Sequence, residues 1–426
     1  MRLYLRPLPF CLLTFLFCAC NLLPAAPTPS AQIVPVNITR ETPLPAAEPT
    51  EDAPIAYTLY INTRNYELSR YEPQYGCYVG AHILADNTIN GKIDAFEQLT
   101  TAHAIYANEM ILGGEYPLTW ILECIAQQKT PLLTVHRPNL YEPFDYALLE
   151  ETAKDIGLFS IPVFVQLLPH AKAEKYHAEA YREFWRTAFV LFREHAPNAA
   201  LVWTTADTAD YESHYPGDAY VDWVSCAYTD HITDDTAEGF GAFYQLFQTR
   251  KPIMISPLTI SHYTTADRGY TTSEAAAKIT ALYHMFGEQY PRVKAVIYRN
   301  ENEAAHEPQN GEILHDYAIT TESALFESYA DATKSAKYLS AIEMNRAGAI
   351  MDILVKSPYP AFKKDGQYYL TEQSILTDLG VRTILPGRRP IAIAGKACYD
   401  IAFARECVLI DFYEDAEKRM LVVWQK

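Results

Sequence analysis

The segment from Ile161 to His177, IPVFVQLLPHAKAEKYH, runs from an apolar stretch straight into Pro169 and His170. An imidazolium at such a position is a competent general acid near neutral pH. Carboxylates follow other apolar runs: Asp207 and Asp210, then Asp230, then Glu301 and Glu303. Two carboxylates brought together can divide proton transfer and nucleophilic attack between them. The plainer explanations are a solvated loop histidine and acidic residues that cap helices. A third group of run ends, His136, Arg137, Trp203, Tyr228 and Tyr298, offers hydrogen bonds and aromatic faces rather than chemistry. The eight cysteines show no CxxC spacing, so neither a zinc site nor any cofactor is expected. Cys124 and Cys226 sit in apolar contexts and read as core, while a bridge between Cys398 and Cys407 stays open.

Positioning these residues requires strands. Eight short apolar runs start near residues 78, 105, 131, 161, 199, 220, 252 and 293. Helical patterns separate several of them. Across 178–195, Tyr181, Trp185, Ala188, Phe189 and Phe192 fall on one helical face. Near-continuous apolar strands between helices imply a parallel sheet covered on both sides. Eight such units imply an α/β fold of the (β/α)8 barrel type, with its site at the C-terminal strand ends. The candidate residues above are those strand ends.

The chain has 426 residues, 49% of them apolar, enough for a substantial core. Acidic residues outnumber basic ones by 52 to 35, for a net charge of -17. That balance disfavours nucleic acid and anionic partners and favours neutral or cationic ones. The 31 tyrosines suit either sugar stacking or an aromatic core. Arg2 and Arg6 precede an apolar run from Leu8 to Ala19, the layout of a secretory signal. LFCAC resembles a bacterial lipobox, which makes Cys20 the expected lipidation site, residues 1–20 the signal, and the membrane a partner through a lipid anchor. Residues 21–56 are rich in Pro, Ala, Thr and Glu and are expected to form an extended tether. The barrel is expected over 57–337 and a small α+β module over 340–426. In that tail Tyr369 and Tyr399 lie 30 residues apart, as do Leu379 and Leu409, which suggests a weak internal duplication.

Residues 75 to 335 resemble glycoside hydrolase family 26, the β-mannanase and related endoglycanase family. The match is carried by YVGAHI, by PLLTVHRPN, by YREFWRTAFVLFREHAPNAALVWTTADT and above all by HYPGDAYVDWVSCAY. The family hydrolyses glycans with two glutamates, one an acid and one a nucleophile. The resemblance places the acid position at His170 and the nucleophile position, within KPIMISPLT, at Pro257. Proline has neither a nucleophile nor a proton to give. The tail, through GQYYLTEQSILTDLG and YDIAFARECVLIDFYEDAEKRMLVVW, resembles the copper amine oxidase N-terminal-like stalk module. It has no histidine cluster, so the name carries no copper here.

Three functions follow from these resemblances. The first is a cell-surface lipoprotein with a non-catalytic barrel that binds a neutral or cationic polysaccharide, or another cell-wall component, through His136, Arg137, Trp203, Tyr228 and Tyr298. The second is an active glycoside hydrolase with relocated carboxylates drawn from Asp207, Asp210, Asp230, Glu301 and Glu303. The third is an envelope scaffold protein. The first two differ in whether glycan is cleaved.

Overall fold

The computed structural model of the protein describes residues 53–137, 144–168, 177–205, 212–229, 235–307, 311–344 and 347–426. Strand β1, Ile55–Glu67, leads into the barrel strands β2 (Cys77–His82), β3 (Ile105–Ile111), β4 (Thr130–His136), β5 (Val163–Leu167), β6 (Ala199–Thr205), β7 (Trp223–Thr229), β8 (Ile253–Thr259) and β9 (Val293–Arg299). They pair in parallel in that order. β9 then closes onto β2, from Ala295 opposite Tyr78 to Arg299 opposite His82. The eight apolar runs of the sequence are these eight strands.

Helices α1 (Ile93–Leu99), α2 (Leu118–Ala126), α3 (Tyr146–Gly157), α4 (Ala178–His195), α5 (Asp235–Phe247), α6 (Thr272–Gln289) and α7 (Ser323–Thr333) follow seven of the strands. Asp145 caps α3 by accepting hydrogen bonds from the Ala147 and Leu148 amides. α4 buries Tyr181, Phe184, Trp185, Ala188 and Phe192. Phe189, expected on that face, is half-buried instead and carries Arg193 over its ring. Between β6 and β7 the described residues hold a single 3-10 turn, Asp218–Tyr220, where another barrel unit would have a helix.

Because strands alternate, one set of side chains fills the barrel and the other meets the helices. Tyr78, Ile105, Leu132, Phe164, Val202, Trp223, Met254 and Ile297 belong to the inner set. Trp223 packs edge-on against Phe164 and stacks on Tyr78. Gly80 is needed on β2, since a Cβ there would lie 2.5 Å from Ile297 Cδ1 and 2.8 Å from the Ile105 carbonyl oxygen.

The tail forms a second sheet, with β10 (Ile350–Lys356), β11 (Ala361–Lys364), β12 (Gln367–Thr371), β13 (Ile391–Ile393), β14 (Lys396–Asp400), β15 (Ile410–Asp415) and β16 (Met420–Gln425), plus helix α8 (Ile401–Cys407). Its centre is β1, which pairs with β10, β11 and β16. The boundary expected at residue 57 is therefore corrected: residues 55–67 belong to the tail's sheet, and the small module is discontinuous in sequence. Tyr57, Leu59 and Ile61 pack with Leu370, Phe403, Leu421 and Val423, burial that a sheet starting at 340 would lack. The two repeat-like strands, β12 and β14, pair antiparallel with Leu370 opposite Tyr399. Cys398 and Cys407 are free thiols, so no bridge joins them, and Cys124 and Cys226 are buried.

The module sits on the barrel floor. Tyr60 donates to the Gln289 carbonyl, and the Gln248 side chain both accepts from the Lys356 amide and donates to the Lys356 carbonyl. Beneath this contact Arg292 and Glu72 form a fully buried ion pair, with Arg292 also 4.0 Å over the Tyr66 ring.

Candidate functional site: a polar cleft at the C-terminal end of the barrel

Inward-facing residues at the strand ends enclose a cleft of about 260 Å³. β2 supplies His82, β3 Glu109, β4 Thr134 and His136, β5 Gln166, β6 Thr204, β8 Ser256 and Pro257, and β9 Arg299. The floor is a hydrogen-bonded belt. Thr134 donates to Gln166 Oε1 at 2.9 Å, and Gln166 Nε2 donates to Thr204 Oγ1 at 3.0 Å and Ser225 Oγ at 3.3 Å. Four strands are thereby held in register below the opening, and the buried amide is satisfied.

Charge is concentrated on one wall. Glu109 and His136 face each other across β3 and β4, with Oε2 and Nε2 3.0 Å apart. That hydrogen bond holds the Glu109 carboxyl below the usual glutamate range, against a smaller opposing effect of burial, and the nearby His82 and Arg299 add to it. Glu109 is therefore an anion at neutral pH. Burial pushes His82 down, so its ring is neutral there, and its Nδ1 has no hydrogen-bond partner among the described residues. Arg299 is gripped from outside the cleft: Nε donates to Glu301 Oε2 at 2.6 Å, and its other end lies 3.4 Å from Glu303. Glu301 and Glu303, expected to border the mouth, instead hold this arginine and do not line the cleft. Burial raises the Glu303 carboxyl.

Pro257 lines the cleft where the family resemblance places a nucleophile. Among the described lining residues Glu109 is the one carboxylate. A two-carboxylate mechanism therefore has no pair among them. His170, Asp207, Asp210 and Asp230 lie outside the described residues, as does Cys20.

Of the five residues expected to contact a ligand, His136 lines the cleft. Trp203, Tyr228 and Tyr298 do not. All three are on the outward set of their strands and belong to the core between strands and helices. Trp203 packs on Tyr215 and Phe247, Tyr228 on Phe240 and Phe286, and Tyr298 on Tyr329 while donating to the Tyr317 carbonyl. Each is one residue away from the inward position, and one residue reverses a strand's facing. Arg137 turns its guanidinium onto Phe144, 4.4 Å from the ring centre, and is not a lining residue.

Sequence reasoning missed His82, Glu109, Gln166 and Arg299. A signal was present: each is a polar residue in or ending an otherwise largely apolar run. A charged or amide group on a strand buried on both faces must point where water or a partner can reach it.

The motif HYPGDAYVDWVSCAY works structurally. Asp218 accepts from Tyr215 and Arg250, Asp222 accepts from the Leu201 amide and Arg193, and the Trp185 and Trp223 indoles donate to the Tyr220 and Arg70 carbonyls. Among the described residues, these bonds are the support between β6 and β7. A cavity of about 700 Å³ lies at this opposite end of the barrel; Asp218 and Asp222 already neutralise its Arg250 and Arg193.

A model of the family described as glycosyl hydrolase family 26 matches residues 170–305, a span containing both His170 and Pro257. No curated protein matches the chain. Among solved structures, it is similar to a family 26 β-mannanase from Bacteroides ovatus, at 16% identity over 64% of this chain and 92% of that one, with a TM-score of 0.48. It is also similar to a family 26 β-(1,4)-mannanase from Podospora anserina, at 13% identity over 65% and 68% of the two chains, with a TM-score of 0.43. The closed parallel barrel is a (β/α)8 barrel, and its segment 170–305 is similar to glycosyl hydrolase family 26.

Proposed function

We propose that this protein is a bacterial cell-surface lipoprotein whose barrel binds a neutral or cationic glycan in the cleft without cleaving it by the two-glutamate route. One observation carries the reading: Pro257, the residue at which the family resemblance puts the nucleophile, lines the cleft. What remains suits binding. His82, Glu109, Thr134, His136, Gln166, Thr204 and Arg299 present donors and acceptors around a small opening, the kind of polar set that recognises hydroxyl groups. The match to family 26 supports glycan as the ligand class. Attachment at Cys20 follows from the lipobox resemblance. A diacylglyceryl anchor is firm where a single acyl chain is marginal.

A second reading is favoured by Glu109, an ionised carboxylate inside the cleft: a hydrolase with a relocated nucleophile. Reducing-end release from mannan, xylan and peptidoglycan fragments, with affinity electrophoresis in the same glycans, decides between them. Retardation without release is the expected result. Release that is lost in Glu109→Gln overturns the binding reading in favour of the hydrolase. Neither retardation nor release moves the protein to the scaffold class. Cys20→Ala is expected to free it from membranes, and an unchanged membrane fraction refutes the anchor.

A further inference from the structure

A cavity of about 350 Å³ lies where the module meets the barrel, between the run into β9, the end of α6 and strand β10. Phe286, Tyr290, Val293, Met351, Ile353 and Leu354 make its wall largely apolar. Lys294 is the exception. It lines the cavity, is only 6% exposed, and makes no hydrogen bond or ion pair among the described residues. Burial pushes its amine down to about 8. Arg292 adds to the fall, and Glu72 and Glu343 oppose it. Burial also keeps the neighbouring Cys77 thiol protonated. Lys294 is therefore mainly a cation at neutral pH. The other cations of the wall are matched, Arg292 by Glu72 and Lys337 by Glu288. Asp352, the lining carboxylate, is exposed to water and forms no ion pair with Lys294. A buried ammonium with no counterion carries a free-energy cost that a bound anion relieves.

We propose that this cavity binds a small organic monocarboxylate with an apolar body, its carboxylate against Lys294 and its body against the apolar wall. Small-molecule sites have this volume and this make-up, a mostly apolar lining with a few placed polar groups. One unmatched cation selects one negative charge; a second charge on the ligand would be buried without a partner. The net charge of -17 disfavours anions at the surface at large, but the local balance at Lys294 is the reverse. The cavity shares no lining residue with the cleft, so the proposal stands independently of the glycan reading. Because β9 belongs to the barrel and β10 to the module, a ligand here touches both and stabilises their joint by mass action.

The test is calorimetry on the full chain with octanoate, octanol and octylammonium as probes. The wild type is expected to prefer octanoate to octanol by roughly tenfold, the size of one charge-assisted hydrogen bond, and to reject octylammonium. Lys294→Met replaces the amine with an apolar side chain of similar length. It is expected to bind octanoate no better than octanol and to melt at or above the wild-type temperature, since an unpaired buried charge has been removed. A second measurement uses the wild type alone: reductive methylation of lysines with formaldehyde, followed site by site by mass spectrometry. Octanoate is expected to slow the modification of Lys294 and to leave that of the exposed Lys92 unchanged. Should Lys294→Met fail to fold, this protection decides the matter. No binding of octanoate, a preference for octanoate that survives in Lys294→Met, or a Lys294 modified equally fast with and without octanoate each overturns the proposal.

Discussion

Glu109 and His136 are the chemically distinctive pair of the cleft, and their hydrogen bond makes a specific demand on titration. Glu109's folded pKa lies below the unfolded value of about 4.3. Its contribution to stability is therefore present above that value and is lost as pH falls through the folded pKa. Glu109 is more than half exposed, so that contribution is small. An NMR titration of the Glu109 carboxyl should give a low midpoint in the wild type and a higher one in His136→Ala. An unmoved midpoint would show that the pair does not form in solution. Trp203 makes the opposite kind of demand. It is packed between strand and helices, so Trp203→Ala should cost about 3–5 kcal/mol of stability by denaturant melting, with no direct effect on ligand contact. The sequence located Trp203, Tyr228 and Tyr298 near strand ends but not their facing. Runs apolar on both faces erase the two-residue alternation that ordinarily reveals it. The polar exceptions, Glu109, Gln166 and Arg299, were the legible markers of the inner set.

Among the elements, the eight barrel strands and α4 were readable because each is long, apolar and regularly spaced. The 3-10 turn at Asp218–Tyr220 was not, because its stability comes from Arg193, Arg250 and Trp185 reaching in from other elements. The rim loops depend on similar long-range bonds. Asp86 accepts from Asn300 Nδ2, and Asn300 Oδ1 accepts from the Ile319 amide, joining the loops after β2 and β9. Asp316, in the loop after β9, accepts from the Ala318 amide and lies 3.5 Å from His262. Burial pushes its carboxyl up to about 6, with the charge of Asp86 adding to the rise. Burial also pushes His262 down, so it brings little positive charge. The sign follows from proton binding. Between the unfolded value of about 3.9 and the folded value of about 6, the native state holds more protons than the unfolded chain, so stability falls as pH rises through this window. Asp316→Asn keeps an acceptor for Ala318 and removes the titrating group. It should flatten the stability profile across pH 4–6 in urea melts. A slope identical to that of the wild type would contradict the buried carboxyl.

At the scale of the whole molecule, barrel and module are joined by more than sequence order. Glu72 and Arg292 are buried at the floor, and Glu72 also accepts from Tyr66, a residue of β1. Removing one member of a buried pair leaves the other charge unsolvated, so Glu72→Ala should cost about 3–5 kcal/mol, measured by global unfolding. The sequence could not show that β1 crosses from one body to the other. Its only local cue is the change from a Pro-rich tether to the alternating IAYTLYI, and the pairing partners lie some 300 residues away in sequence. The deletion that tests this is a chain beginning at Leu68. The barrel keeps its eight strands, but the module's sheet loses its central member, splitting β11 from β16 and leaving β10 without a neighbour. Tyr57, Leu59 and Ile61 leave the module core at the same time. Unpaired inner edges facing an opened core cannot be satisfied by side-chain repacking. Limited proteolysis should therefore degrade residues 350–426 of the shortened chain while sparing the barrel strands. A segment comprising 350–426 alone should stay unfolded by circular dichroism, and the same segment with residues 52–67 fused through a short linker should fold. If 350–426 folds without β1, the module is the autonomous tail domain that its position in the sequence suggests.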